Sequence, residues 1–128
     1  MSFKITNLTK NNSPVSELFF VKIKNTILNK SFDLSLVFVG DIRAQKLNKE
    51  YRKKDYIPNT LSFLIDDSTG EIFLNLNQIK KETGKFNLSF KNLIIFMFIH
   101  SCLHLKKYEH GPEMEKKEKY YYKKFKTE

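Results

Sequence analysis

All three histidines of this 128-residue chain fall within one run of eleven residues, His100-Ser101-Cys102-Leu103-His104-Leu105-Lys106-Lys107-Tyr108-Glu109-His110. His100 and His104 stand four apart in the most convincing helical segment of the chain, about 88–106. Four residues are close to one turn, so both rings project from one face, roughly 6 Å apart. That H-x3-H geometry is one with which helices grip zinc. His110 then constrains the fold. A continuing helix would carry it about 15 Å along the axis from His100, beyond any shared ion. It can join the pair only if the helix ends soon after His104 and the chain turns back.

Metzincin proteases make such a turn in H-E-x-x-H-x-x-G-x-x-H, whose third His comes ten residues after the first. The offset here is also ten. Three ligands leave a tetrahedral ion one open position, the catalytic pattern rather than the structural one. Proteolysis is argued against by Ser101, which stands where such enzymes need a Glu as general base. Cys102 lies about 200° round the helix from the two rings, so it is expected to be a small buried core residue rather than a fourth ligand.

The longest strongly apolar run, Leu93–Ile99, has seven residues, against roughly 20 needed to span a bilayer. A single Cys excludes an internal disulfide and favours a reducing compartment. The first twenty residues, MSFKITNLTKNNSPVSELFF, lack a basic start followed by an apolar stretch. The expectation is one cytoplasmic domain over residues 1–128, with no membrane contact and no obligate protein partner inferable. The net charge is +9, from 21 Lys and 2 Arg against 5 Asp and 9 Glu. A basic chain is drawn to polyanions through phosphate contacts. Abundant Lys, with 11 Asn and 11 Ile, also resembles the product of an AT-rich genome. In so Arg-poor a chain, Arg43 and Arg52 are harder to explain as drift.

Patterning predicts helices interleaved with strands and a hairpin. A short strand is expected at 3–5, then a helix entered through Ser13-Pro14 and running to about Lys30, carrying Val15, Leu18, Phe19, Ile23, Ile27 and Leu28. A strand follows at 32–39, then a helix capped by Asp41 with Ile42, Leu47 and Tyr51. The segment from Arg52 to Pro58 reads as a loop, 60–65 and 71–76 as a hairpin turning at 66–70, and 77–83, 88–106 and 112–126 as helices. In the last, Tyr120, Tyr121 and Phe125 are expected to turn inward, and Lys interleaved with Glu113, Glu115 and Glu118 to form a solvated face. The fold class is α+β: a single domain with a mixed sheet of about four strands covered by helices, and a zinc site on a central helix carrying H-x3-H.

The His segment resembles the signature H-G-x-L-H-L-x-G-Y-D-H of the YbeY family, bacterial rRNA maturation factors and endoribonucleases. Leu47-Asn48-Lys49-Glu50-Tyr51-Arg52-Lys53-Lys54-Asp55, followed by Leu61-Ser62-Phe63, is similar to a second family block, L-N-x-x-Y-R-x-x-D with L-S-F. Gly70-Glu71-Ile72 resembles a third, G-D-I. The blocks keep the family order across roughly residues 32 to 118. Departures are Ser101 and Lys107 for glycines, Glu109 for Asp, and Pro58 where Thr is usual, with Thr60 displaced by two. If the turn at Lys107 needs a left-handed residue, Lys costs about 1 kcal/mol there.

The resemblance implies a zinc-dependent, single-strand-directed endoribonuclease acting on rRNA of the small ribosomal subunit, particularly in maturation of its 3′ end. It implies one Zn²⁺ per chain on His100, His104 and His110, with His100 and Arg52 as catalytic residues. Arg52 would match the charge that builds on the phosphate with paired donors. Lys49, Lys53, Lys54, Lys106 and Lys107 are candidate RNA contacts. Two other readings stand beside it: a hydrolase of another substrate, and a non-cleaving RNA-binding assembly factor whose metal is mainly structural.

Overall fold

The computed structural model describes residues 3–127. Among them the chain forms one four-stranded mixed sheet and six helices, an α+β architecture in agreement with the patterning. Strands β1 (Phe3–Asn7), β2 (Asp33–Phe38) and β4 (Thr69–Leu74) run parallel, while β3 (Thr60–Asp66) pairs antiparallel to β4. The order is β1-β2-β4-β3, so β3 is an edge.

Helix α1 (Glu17–Ile27) starts later than Ser13-Pro14 suggests. Ser16 is its N-cap, accepting from the Phe19 N–H at 3.2 Å, while the Ser13 hydroxyl is occupied locally by the Val15 N–H at 3.0 Å. The inward face is Phe20, Ile23, Lys24 and Ile27; Leu18 is exposed. Helix α2 (Asp41–Arg52) is capped by Gly40 rather than Asp41. The Asp41 carboxylate instead accepts from Asn75 and Asn77, both at 2.8 Å. The helix buries Ala44 and Asn48 and leaves Ile42 and Tyr51 exposed. After the hairpin come α3 (Leu76–Lys81) and the single turn α4 (Thr83–Phe86), then α5 (Phe90–Leu105) and α6 (Pro112–Phe125).

Helix α5 is apolar nearly all round because it is buried nearly all round, between α1, α3, α6 and the sheet. Its Leu93, Ile94, Phe98 and Ile99 share one core with Leu34, Leu36, Ile72 and Leu74 of the strands. Cys102 is inside that core, as expected, and burial pushes its thiol well above the usual range. Among the described residues no helix is long and apolar enough to cross a membrane.

The end of α5 lands on β4 at Gly70. A Cβ there would lie 3.0 and 3.1 Å from the Leu105 methyls and 3.2 Å from the Phe63 carbonyl oxygen. Gly70→Ala should therefore destabilise the fold by about 1–3 kcal/mol, as overpacking does. Thermal unfolding checks this; an unchanged melting temperature would show that the contact yields freely.

Candidate metal centre and groove

The turn that the His spacing demands is present. Helix α5 stops at Leu105, where the Tyr108 N–H reaches back to the Leu103 carbonyl at 3.1 Å and the Lys107 N–H to the His104 carbonyl at 2.9 Å. This pair of bonds is the Schellman closure, which needs a left-handed residue between helix and loop. Lys107 supplies it, with φ at 74°. The reversed chain carries His110 back over the helix end. Gly111, at φ 156° where side chains are rarely tolerated, then leads into Pro112 and α6.

His100, His104 and His110 are thereby brought together, one ligand atom from each lying within 4.8 Å of the others. The Nε2 atoms of His100 and His104 are 3.1 Å apart. His104 Nδ1 lies 3.1 Å from the Tyr108 carbonyl oxygen. A carbonyl only accepts, so this nitrogen carries the proton and Nε2 keeps a lone pair. His100 Nδ1 is hydrogen-bonded to the Glu118 carboxylate, which orients its ring so that Nε2 faces the same point. The two Nε2 atoms then face each other at close range, an arrangement that suits a cation held between them. The donor set and its outer partners fit a metal ion. Burial, with His100 beside it, lowers the pKa of His104 below the ordinary imidazole value, so the ring is in its metal-binding form at neutral pH.

Glu118 is the functional residue that the charge pattern concealed. Read as part of a solvated face, it is 9% exposed and points at His100. Its signal is its place in the stripe Met114, Glu118, Tyr121, Phe125, at the spacing of a core-facing helix side. Of the aromatic residues expected inside, Phe125 is buried and Tyr121 half-buried, but Tyr120 is exposed.

The His cluster opens into a groove of about 860 Å³ between α5, the edge strand β3 and the end of α2. Arg52 lies on its wall, with Tyr51, Tyr56, Ser62 and Lys85. Ser101 and Thr60, both departures from the family pattern, meet each other: their hydroxyls are 2.7 Å apart beneath the groove. The five candidate lysines do not line it. Lys49, Lys53 and Lys54 are exposed around the end of α2, with Lys49 paired to Asp55 at 3.9 Å. Lys106 donates to the Ile27 carbonyl at 3.2 Å, at the end of α1. Lys107 pairs with Asp67 at 2.8 Å. Arg43 is exposed near the start of α2.

A family model described as Endoribonuclease YbeY matches residues 4–126. The chain is 31% identical over 127 residues to Endoribonuclease YbeY of Mycoplasma mycoides, covering 84% of this chain and 77% of that one. It is 36% identical over 107 residues to Endoribonuclease YbeY of Phytoplasma mali, covering 76% and 72%. A solution structure of a Thermotoga maritima protein shares the fold, with a TM-score of 0.65, 23% identity, and coverage of 96% and 88%.

Proposed function

The chain belongs to the YbeY endoribonuclease family, and from that membership we propose that it is a zinc-dependent endoribonuclease. In this reading it cuts single-stranded rRNA during maturation of the small-subunit 3′ end and in ribosome quality control, in the cytoplasm. The observation that carries the reading is the convergence of three imidazoles beside a guanidinium in one open groove. His100, His104 and His110 are the proposed ligands of one zinc per chain. When bound, zinc supplies a Lewis acid for a phosphoryl oxygen and lowers the pKa of a water to roughly 7.

The chain's own groups do the rest. Glu118 and the Tyr108 carbonyl hold the Nδ1 protons of two rings, so that both Nε2 atoms stay aimed at one point. Arg52 offers paired donors to the phosphate, and His100 is both ligand and catalytic residue. The hydroxyl pair Thr60–Ser101 closes the groove floor without an orphaned polar group. The deciding experiment is elemental analysis of purified protein together with cleavage of a labelled small-subunit rRNA. One equivalent of zinc and metal-dependent cutting are expected. Binding without cutting would favour the assembly-factor reading.

The basic charge gives a second measurable. Neutralising about five phosphates predicts a log–log salt slope near −3.5 for single-stranded RNA. Reversing Lys49, Lys53 and Lys54, which surround Arg52, should flatten that slope by about two to three. Reversing Lys123, Lys124 and Lys126 on α6 should change it less. Equal effects from both sets would mean that the charge acts as a diffuse cloud.

A further inference from the structure

Two aromatic rings in the groove have no part in metal chemistry. Tyr51 is 66% exposed and Tyr56 53% exposed, and both line the groove that holds the His cluster and Arg52. Neither is loosely placed. Tyr51 is held edge-on by Phe63, with centroids 5.5 Å apart, and Phe63 in turn by Phe73 at 6.0 Å. The loop bearing Tyr56 is tied to α2: fully buried Asn48 donates to the Tyr56 carbonyl at 3.0 Å, and Gln45 to the Asp55 carbonyl at 2.6 Å. An exposed tyrosine forgoes the burial that such a ring ordinarily gains. Here the Tyr51 ring and the backbone that carries Tyr56 are both anchored, one residue before Arg52 in the chain and four after it.

Two exposed rings and a guanidinium lining one groove suit a nucleic acid single strand. The phosphate takes the guanidinium, and neighbouring bases take the ring faces. Arg52 and Lys85 on the walls, against the carboxylate of Glu82, favour a polyanion over a neutral peptide in the same place. We propose that Tyr51 and Tyr56 form a base-stacking subsite for the nucleotides next to the phosphate held at the His cluster. The proposal rests on the RNA-cutting reading above and names the residues that make the site choose single strands. Bases in a duplex are already stacked on their neighbours and cannot offer a free face to either ring.

The test uses the zinc-loaded full chain and a short labelled single-stranded oligoribonucleotide. Tyr51→Leu keeps an apolar contact to Phe63 but has no ring face. It should raise KM by roughly 5- to 150-fold, the range that stacking of one base spans, with kcat little changed. Tyr51→Trp should restore KM, and duplex RNA should compete better against the Leu variant than against wild type. A second arm needs no variant. A single abasic nucleotide walked along the substrate should raise the wild-type KM at one or two positions, and should add little at those positions in Tyr51→Leu. Wild-type kinetics in Tyr51→Leu, or an abasic scan flat at every position, would overturn the stacking subsite while leaving the endoribonuclease reading intact. A zinc-loaded wild type that cuts no RNA would overturn the reading beneath it.

Discussion

In His110→Ala, zinc binding should fall by more than about 100-fold and RNA cleavage should go with it. The comparison that sets this scale is internal. Loss of an outer hydrogen-bond partner such as Glu118 costs roughly 10- to 100-fold in metal affinity, and loss of a ligand must exceed that. Glu118→Gln keeps the shape beside His100 and removes the charge, so it should fall within that lower range. The two variants therefore form a graded pair, read by competition with a chromophoric chelator. Folding should survive in His110→Ala, because His110 is exposed and the core of α1, α5 and the sheet does not include it. Acid should act in the same direction. Protons compete with the metal for an imidazole nitrogen, and for His104 only below the ordinary imidazole range, since burial depresses its pKa. Zinc affinity should be level above that range and decline beneath it. Full zinc retention in His110→Ala would remove it from the ligand set. Unfolding of His100→Ala, in place of a folded protein that binds RNA without cutting it, would shift the metal from a catalytic to a structural role.

The spacing of the three histidines made the central geometry legible before any coordinates. An offset of ten cannot share an ion on a continuous helix, so if His110 joins the other two, the chain must reverse after His104. The structure adds how it is made, with Lys107 in the left-handed position at about the 1 kcal/mol that its Cβ entails. Elsewhere local pattern and tertiary context parted. Helix α2 packs through Ala44 and Asn48, one small and one polar, so a search for large apolar residues selects Ile42 and Tyr51 instead. Glu118 was hidden for a related reason: a carboxylate among lysines reads as surface, and only its distant partner His100 explains its burial. The pairing of Ser101 with Thr60 joins residues 41 apart in sequence. Each is a departure taken alone, and together they satisfy one another. Long-range polar pairs of this kind leave no periodic trace, whereas the apolar run at the heart of α5 does.

Arg52→Ala should lower kcat for RNA cleavage by about 100- to 1,000-fold, the effect of removing one preorganised donor from a charge that develops in the transition state. The residue ends α2 and faces the groove shared with the three histidines, and its positive charge is felt at His104. Its exposure makes a large stabilising role unnecessary, so the melting temperature should move little. Arg52→Lys separates charge from shape. An ammonium restores the charge, but it cannot present two parallel donors to a phosphate, so rescue should be partial. The neighbouring lysines give the control: removing Lys53 or Lys54 should alter KM and its salt dependence while leaving kcat near wild type, because they lie outside the groove. Full activity in Arg52→Ala would sink the assignment. A loss confined to KM would reassign Arg52 from the reacting phosphate to ordinary backbone binding, and equal rescue by Lys would show that charge alone, without the paired geometry, is what the reaction uses.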